Sequence, residues 1–225
     1  MCPRAGPHSL QDDTIRQFQR ALELQAVNTT CTSADTFLFL RAWLRNPLRV
    51  ASAIPSGRSL AQLITQEIDP AAGRVIELGP GTGVFTRALI GRGVAESDLV
   101  LIEKGREFTG MLAERFPQAA IVESDAAKIG QLDIGGPAGA VVSGLPLLSM
   151  PPRQVMAILA GAFRHLGRQG KFYQFTYGPR CPVPRPILDR LGLKAVFLGR
   201  TIQNFPPAAV YRISKRTTLP FWQGG

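Results

Sequence analysis

One stretch constrains this chain more than any other: Val75-Ile76-Glu77-Leu78-Gly79-Pro80-Gly81-Thr82-Gly83-Val84-Phe85-Thr86. An apolar run ends in a carboxylate, opens into alternating glycines and continues as a helix. A turn this tight needs positive φ angles, which glycine adopts at no steric cost, and a nucleotide-like ligand approaches the main chain only where side chains are absent. Gly79, Gly81 and Gly83 satisfy both demands, so the segment predicts a strand–turn–helix at a small-molecule cofactor site. A dinucleotide fingerprint would place its last glycine at the position of Val84, and a P-loop would follow its last glycine with Lys and Ser or Thr. This chain has neither, which disfavours pyrophosphate, ATP and GTP.

Two further strand-and-acid patterns follow. Leu99-Val100-Leu101-Ile102-Glu103 reads as a buried parallel strand ending in a carboxylate, at the separation where α/β nucleotide folds place a ribose-binding acid. Ile121-Val122-Glu123-Ser124-Asp125-Ala126 repeats it. Around them the pattern predicts strand 74–78, helix 84–92, strand 98–102, helix 105–116, strands 119–123 and 138–143, helix 152–166 and strand 170–176. The runs 195–198 and 209–213 are expected to form a closing hairpin at the sheet edge. Such an order predicts an α/β fold: a mostly parallel seven-stranded sheet with helices on both faces, over residues 59–216.

Residues 1–58 read as a helical extension and 217–225 as a tail. Helices are expected over 10–27 and 34–46, the second carrying Phe37, Phe39, Trp43 and Leu44 beside Arg41 and Arg45. Helices of this kind can lie in a bilayer interface, and they can as easily pack on the core. The tail Leu219-Pro220-Phe221-Trp222 offers another interfacial anchor.

Net charge is +10, and its distribution says more than its size. Residues 1–58 sum to +3, residues 59–149 to −4 and residues 150–225 to +11, the last with Asp189 as its one acidic side chain. The substrate, or the surface that bears it, is therefore expected to be anionic, a phospholipid headgroup or a nucleic-acid backbone. The three cysteines are far apart and the two histidines scattered, so no metal site is expected. No apolar run reaches membrane-spanning length and the first residues lack signal-peptide character, so the expected compartment is the cytosol.

The spelling Glu77-x-Gly79-x-Gly81-x-Gly83 is similar to the first motif of class I S-adenosylmethionine-dependent methyltransferases. That resemblance implies S-adenosylmethionine as cofactor and S-adenosylhomocysteine as product, with Glu77 near the methionine moiety, Glu103 on the ribose hydroxyls and Asp125 facing the adenine amino group. Ala126, Ser143 and Gly144 complete the implied cofactor set. Enzymes that methylate adenine amino groups carry Asn or Asp and a base-stacking aromatic after the fourth strand. Ser143 and Leu147 stand in their places here, which counts against a nucleobase substrate despite core similarity to rRNA adenine dimethyltransferases.

Taken together, Pro55-Ser56-Gly57-Arg58, Glu77–Gly83, Ser143–Ser149, Gln174–Pro179 and Asn204–Tyr211 resemble the bacterial phospholipid N-methyltransferases of the rRNA-dimethylase-like type. The resemblance implies stepwise methylation of phosphatidylethanolamine to phosphatidylcholine by a protein peripheral to the cytoplasmic membrane face, with no nucleic-acid partner. Oligomeric state stays open. Tyr177 is the expected catalytic residue, its hydroxyl on phosphate or amine, with Arg180, Arg185 and Arg212 on the phosphate and Asn204 in the pocket wall. Phe175, Tyr177 and Phe37 are candidate ring faces for a methylated ammonium. The competing readings are an rRNA or tRNA adenine N-methyltransferase, favoured by a pI near 10.4, and a non-catalytic membrane or RNA adaptor.

Overall fold

Continuous apolar runs such as Leu99–Ile102 and Ala138–Val142 bury both faces only inside a sheet that is covered on both sides. The computed structural model describes residues 57–177, 180–202 and 207–216, and these form such a sheet. In chain order the elements are α1 (Gly57–Thr65), β1 (Arg74–Leu78), α2 (Val84–Gly91), β2 (Leu99–Glu103), α3 (Arg106–Arg115), β3 (Ala120–Glu123), β4 (Ala138–Ser143), α4 (Pro152–His165), β5 (Leu166–Thr176), α5 (Arg185–Arg190), β6 (Leu193–Thr201) and β7 (Ala208–Lys215). The strand order is β3-β2-β1-β4-β5-β7-β6. The β1 to β5 pairs are parallel, while β7 runs antiparallel to both β5 and β6. This is the expected Rossmann-like sheet with its closing hairpin. The expected helices 10–27 and 34–46, Phe37, Asn204 and the tail lie outside the described residues.

Side-chain alternation divides the core into two layers. Ile76, Leu78, Val141 and Phe172 point to one face, where α4 covers them with Ile158, Leu159 and Ala162. Their neighbours Val75, Val142 and Tyr173 point to the other, beneath Ile64 of α1, Leu89 of α2 and Leu112 of α3. At about 25 cal/mol per Å² of apolar surface removed from water, these layers are the main favourable term in folding.

Three local features depart from the sequence expectation. Helix α4 ends at His165 and the chain enters β5 at once, with a bulge in the ladder: Leu166 pairs with Ala138 and Lys171 with Ala140, so residues 167–170 stand opposite Gly139 alone. Helix α1 was not expected, although Leu60, Ala61 and Ile64 give it a buried stripe. Helix α5 was not expected either; Pro184 stands at its N-cap and Pro186 in its first turn, where the N–H groups have no intrahelical partner and proline is tolerated.

Strand order reverses at β1, with β2 on one side and β4 on the other, so the crevice of the sheet opens at the C-terminal ends of β1 and β4. On the α4 side the packing below this crevice is close enough to exclude a methyl group. A Cβ on Gly161 would lie 2.6 Å from the Gly130 nitrogen and from Ile129 Cγ2. Alanine normally stabilises a helix interior by about 1 kcal/mol over glycine. Gly161→Ala is instead expected to destabilise the fold by about 1–3 kcal/mol through overpacking, measured by urea denaturation; a rise in the midpoint would show that the contact yields.

Candidate active site

The glycine loop is tied down from several directions. Gly79 N–H donates to the Ile102 carbonyl (2.9 Å), extending the β1–β2 ladder one residue into the turn, and Gly83 N–H donates to Pro80 O (2.8 Å). Arg87 and Arg115 both donate to the Thr82 carbonyl, at 3.2 and 3.0 Å. Gly81 has φ +53° and would have nothing within 4 Å of a Cβ, so its backbone faces open space. Gly83, at φ +77°, is also sterically closed: a Cβ there would lie 2.5 Å from the Phe116 ring.

Glu103, at the end of β2, links this loop to the next one. Its Oε2 accepts from Gly81 N–H (3.1 Å), and its Oε1 from Lys104 N–H (2.8 Å) and Gly105 N–H (2.9 Å). Asp125 caps the turn Ala126–Gln131, accepting from Ala127 N–H and from Lys104 Nζ, both at 2.9 Å. These bonds, the backbone N–H foremost, hold its carboxyl below the usual range. Ala126, buried, begins the same turn.

Glu77 differs from both of these acids. It is 0% exposed, its Oε2 accepts from Thr86 Oγ1 at 2.7 Å, and its Oε1 has no hydrogen-bond partner. Burial pushes its pKa up from 4.5 to about 7; the Thr86 bond opposes this, and the nearby Glu103 charge adds to it.

The loop after β4 closes against the first glycine. Gly144 N–H donates to Leu78 O (2.8 Å), and a Cβ on Gly144 would sit 2.6 Å from the Gly79 carbonyl oxygen. Ser143 Oγ accepts from Leu145 N–H (3.3 Å), while Gln174, its register partner on β5, donates from Nε2 to Leu145 O (2.8 Å).

No protein-family model matches the chain. It is 31% identical over 184 residues to the ornithine lipid N-methyltransferase of Singulisphaera acidiphila, covering 79% of this chain and 94% of that protein. The chain belongs to the class I S-adenosylmethionine-dependent methyltransferases. A second relative, the ribosomal RNA small subunit methyltransferase A of Caulobacter vibrioides, is 34% identical over 144 residues, which span 60% of this chain and about half (54%) of that protein. Among solved structures, the N-methyltransferase NodS of Bradyrhizobium japonicum in complex with S-adenosylhomocysteine shares the fold, with TM-score 0.55 and 16% identity over 79% of this chain and 97% of that one.

The residues present fit the methyltransferase cofactor. A buried carboxylate with one oxygen unpartnered suits a cationic methionine moiety, an acidic strand end joined to the glycine turn suits ribose hydroxyls, and the uncovered face of Gly81 leaves room for a ligand against the backbone. Among the described residues, no group of His, Cys, Asp and Glu is arranged to hold a metal.

The expected substrate residues are more dispersed. Tyr177 packs edge-on against Phe175 (5.3 Å between centroids), which in turn meets Phe85 (5.9 Å). Burial pushes the Tyr177 hydroxyl up to about 12, so it stays protonated and cannot act as a base near neutrality. Arg212 is taken by Glu67, at 2.7 and 2.9 Å, with Tyr173 OH donating to the same carboxylate. Arg185 pairs with Asp189 one helical turn on (3.1 Å), and Arg216 also reaches Asp189. Arg180 is exposed and has no carboxylate partner among the described residues. Arg212 and Arg185, both expected on a headgroup phosphate, each pair with a carboxylate in this structure.

Sequence reading passed over Thr86, Phe85 and the clamping by Gln174. Thr86 was legible in part: a hydroxyl in the first turn of the helix, nine residues after an acid at a strand end, comes back over that strand when the glycine turn reverses the chain.

Glu77 makes a stability prediction with a definite sign. Its folded pKa is raised, so its contribution is fully present below pH 4.5 and is lost as pH rises through about 7. The size is about 3 kcal/mol at 1.36 kcal/mol per unit. The wild-type minus Glu77→Gln difference in unfolding free energy of the cofactor-free protein is expected to fall by about that much between pH 4.5 and 8; a flat difference would mean that Glu77 titrates normally. Gly144→Ala is expected to abolish S-adenosylhomocysteine binding by calorimetry, since the added methyl has to displace the backbone of the cofactor loop.

Proposed function

We propose that this methyltransferase acts on the amine of a membrane-lipid headgroup, carrying phosphatidylethanolamine through its monomethyl and dimethyl forms to phosphatidylcholine at the cytoplasmic face of a membrane. The observation that carries the reading is the match along 94% of a lipid N-methyltransferase. Leu147 supports it: where a nucleobase enzyme places an aromatic for stacking, this side chain is 2% exposed within the α4-side core. The same relative favours a second reading, in which the headgroup is ornithine, an amine beside a carboxylate rather than a phosphate.

When bound, S-adenosylmethionine supplies an electrophilic methyl group on a sulfonium. The protein's contribution is to bring an unprotonated amine into line with that methyl and to exclude water. Orientation alone supplies roughly 7–11 kcal/mol in favourable cases. An amine at neutral pH must first lose a proton, and Tyr177, protonated up to about 12, does not take it. Water or the lipid phosphate receives it. Tyr177 donates its hydroxyl hydrogen to the phosphate or accepts from the amine, and Arg180 balances the phosphate charge. The rings of Phe85, Phe175 and Tyr177 offer π faces to an ammonium, an attraction that persists as N–H groups are replaced by methyls. Successive substrates can then share one pocket.

The test is incubation of the purified protein with radiolabelled S-adenosylmethionine and, separately, phosphatidylethanolamine vesicles containing anionic lipid, ornithine-lipid vesicles or total RNA. Label in mono-, di- and trimethylated phosphatidylethanolamine is the expected result on thin-layer chromatography. Label confined to ornithine lipid establishes the second reading, and label in RNA alone overturns both. Tyr177→Phe is expected to lower kcat by roughly 10- to 100-fold, the worth of one charge-assisted hydrogen bond at about 1.5–3 kcal/mol, without weakening cofactor binding; unchanged turnover would remove Tyr177 from the mechanism.

A further inference from the structure

Gln174 is fully buried near the C-terminal end of β5, beside Ser143 in the parallel register. Both hydrogens of its amide are used, Nε2 donating to Leu145 O and to Phe175 O at 2.8 Å each. That choice fixes the orientation of the amide, since a flipped group would aim its oxygen at two carbonyls. It also leaves Oε1 buried with no partner. A side chain wanted only for its volume would be Met or Leu, which fill the space without stranding a polar atom. What the amide gains in exchange is hold on one residue of the loop: Ser143 Oγ accepts the Leu145 N–H at 3.3 Å, in the peptide group before it, while Gln174 grips the Leu145 carbonyl, in the peptide group after it. The adjoining residue, Gly144, is the one that lies against Gly79. The two peptide groups that flank Leu145 are thus held from both strand ends at the point where the β4 loop meets the cofactor glycines.

We propose that Gln174 is a positioning residue for methyl transfer, retained at a cost to stability because its amide holds the Leu145 carbonyl and so sets the Ser143–Pro146 loop beside the transferred methyl. It touches neither cofactor nor substrate. The proposal rests on the lipid-amine reading only for the choice of assay substrate.

Gln174→Met and Gln174→Leu are compared with wild type. Both are apolar and close to the original volume, and neither carries a donor for the Leu145 carbonyl. The expected result for Met is an unfolding midpoint equal to or above that of wild type, S-adenosylhomocysteine affinity within about twofold, and kcat on phosphatidylethanolamine vesicles lower by roughly 10²-fold, the scale of a misplaced reacting group, with KM little changed. Leu is expected to show the same loss of kcat, and it decides the matter if Met does not fold. The Leu147 amide, which donates to the same Leu145 carbonyl at 2.9 Å, is expected to exchange its hydrogen faster in both variants. Wild-type kcat in either variant, slower turnover accompanied by an equal loss of S-adenosylhomocysteine affinity, or unchanged Leu147 exchange overturns the proposal. If wild type itself methylates no lipid, the substrate reading fails, and hydrogen exchange together with the unfolding midpoint still tests Gln174.

Discussion

The approach of Gly144 to the Gly79 carbonyl is the constraint on which the rest of the site depends. Two loops from adjacent parallel strands meet there with no room for a Cβ, and Gly144 N–H continues the ladder onto Leu78 O. With that contact made, the cofactor turn and the β4 loop behave as one surface. Glu103 extends the surface toward β2 through Gly81, and Lys104 carries it on to Asp125 at the end of β3. Four strand ends are in this way bound into one rim by backbone hydrogen bonds and two carboxylates, a preorganised frame for a cofactor whose reaction requires accurate alignment.

Beneath this rim the fold gives up stability. Among the described residues, the buried side-chain oxygens without a hydrogen-bond partner are Glu77 Oε1 and Gln174 Oε1, and both lie near the C-terminal ends of their strands, on either side of β4. Each such atom costs about 1–3 kcal/mol in desolvation that is not recovered. Elsewhere the core is aliphatic and aromatic, with buried hydroxyls such as Thr65 bonded to backbone carbonyls. That distribution is the one expected when polar groups are kept for function: where the chain needs only to be folded it is satisfied, and where it needs to act it is not.

Charge follows a related division. The basic excess of residues 150–225 is opposed within that segment by Asp189 alone, which is shared between Arg185 and Arg216, while Arg212 turns inward to Glu67. Arg153, Arg180, Arg190, Lys194 and Arg200 remain exposed, and no carboxylate of their own segment answers them. Unopposed surface cations of this number raise the local concentration of anionic partners and are screened by salt. A charged lipid surface meets that description at least as well as a nucleic acid does.

The α/β class, the positions of the strands and the kind of cofactor were legible in the sequence, because each rests on local physics: apolar runs that must be buried, acids at strand ends, and glycines that alone tolerate the turn. Glu77, Glu103 and Asp125 could be located at or just past strand ends for the same reason, while the cofactor roles of Glu77 and Asp125 came from the family resemblance. What the sequence could not show is which charged side chains are spent on one another. Arg212 and Glu67 are 145 residues apart and the Gln174–Leu145 bond spans 29, so whether such groups meet depends on strand order and register. The burial that lifts Glu77 toward neutrality and the hold on the Leu145 backbone likewise come into being only when β1, β4 and β5 lie side by side. Sequence alone determined that this chain builds a cofactor turn in a doubly covered parallel sheet. Tertiary structure decided which of its polar groups are committed and which are left unsatisfied, because pairing and desolvation are properties of neighbours in space rather than in the chain.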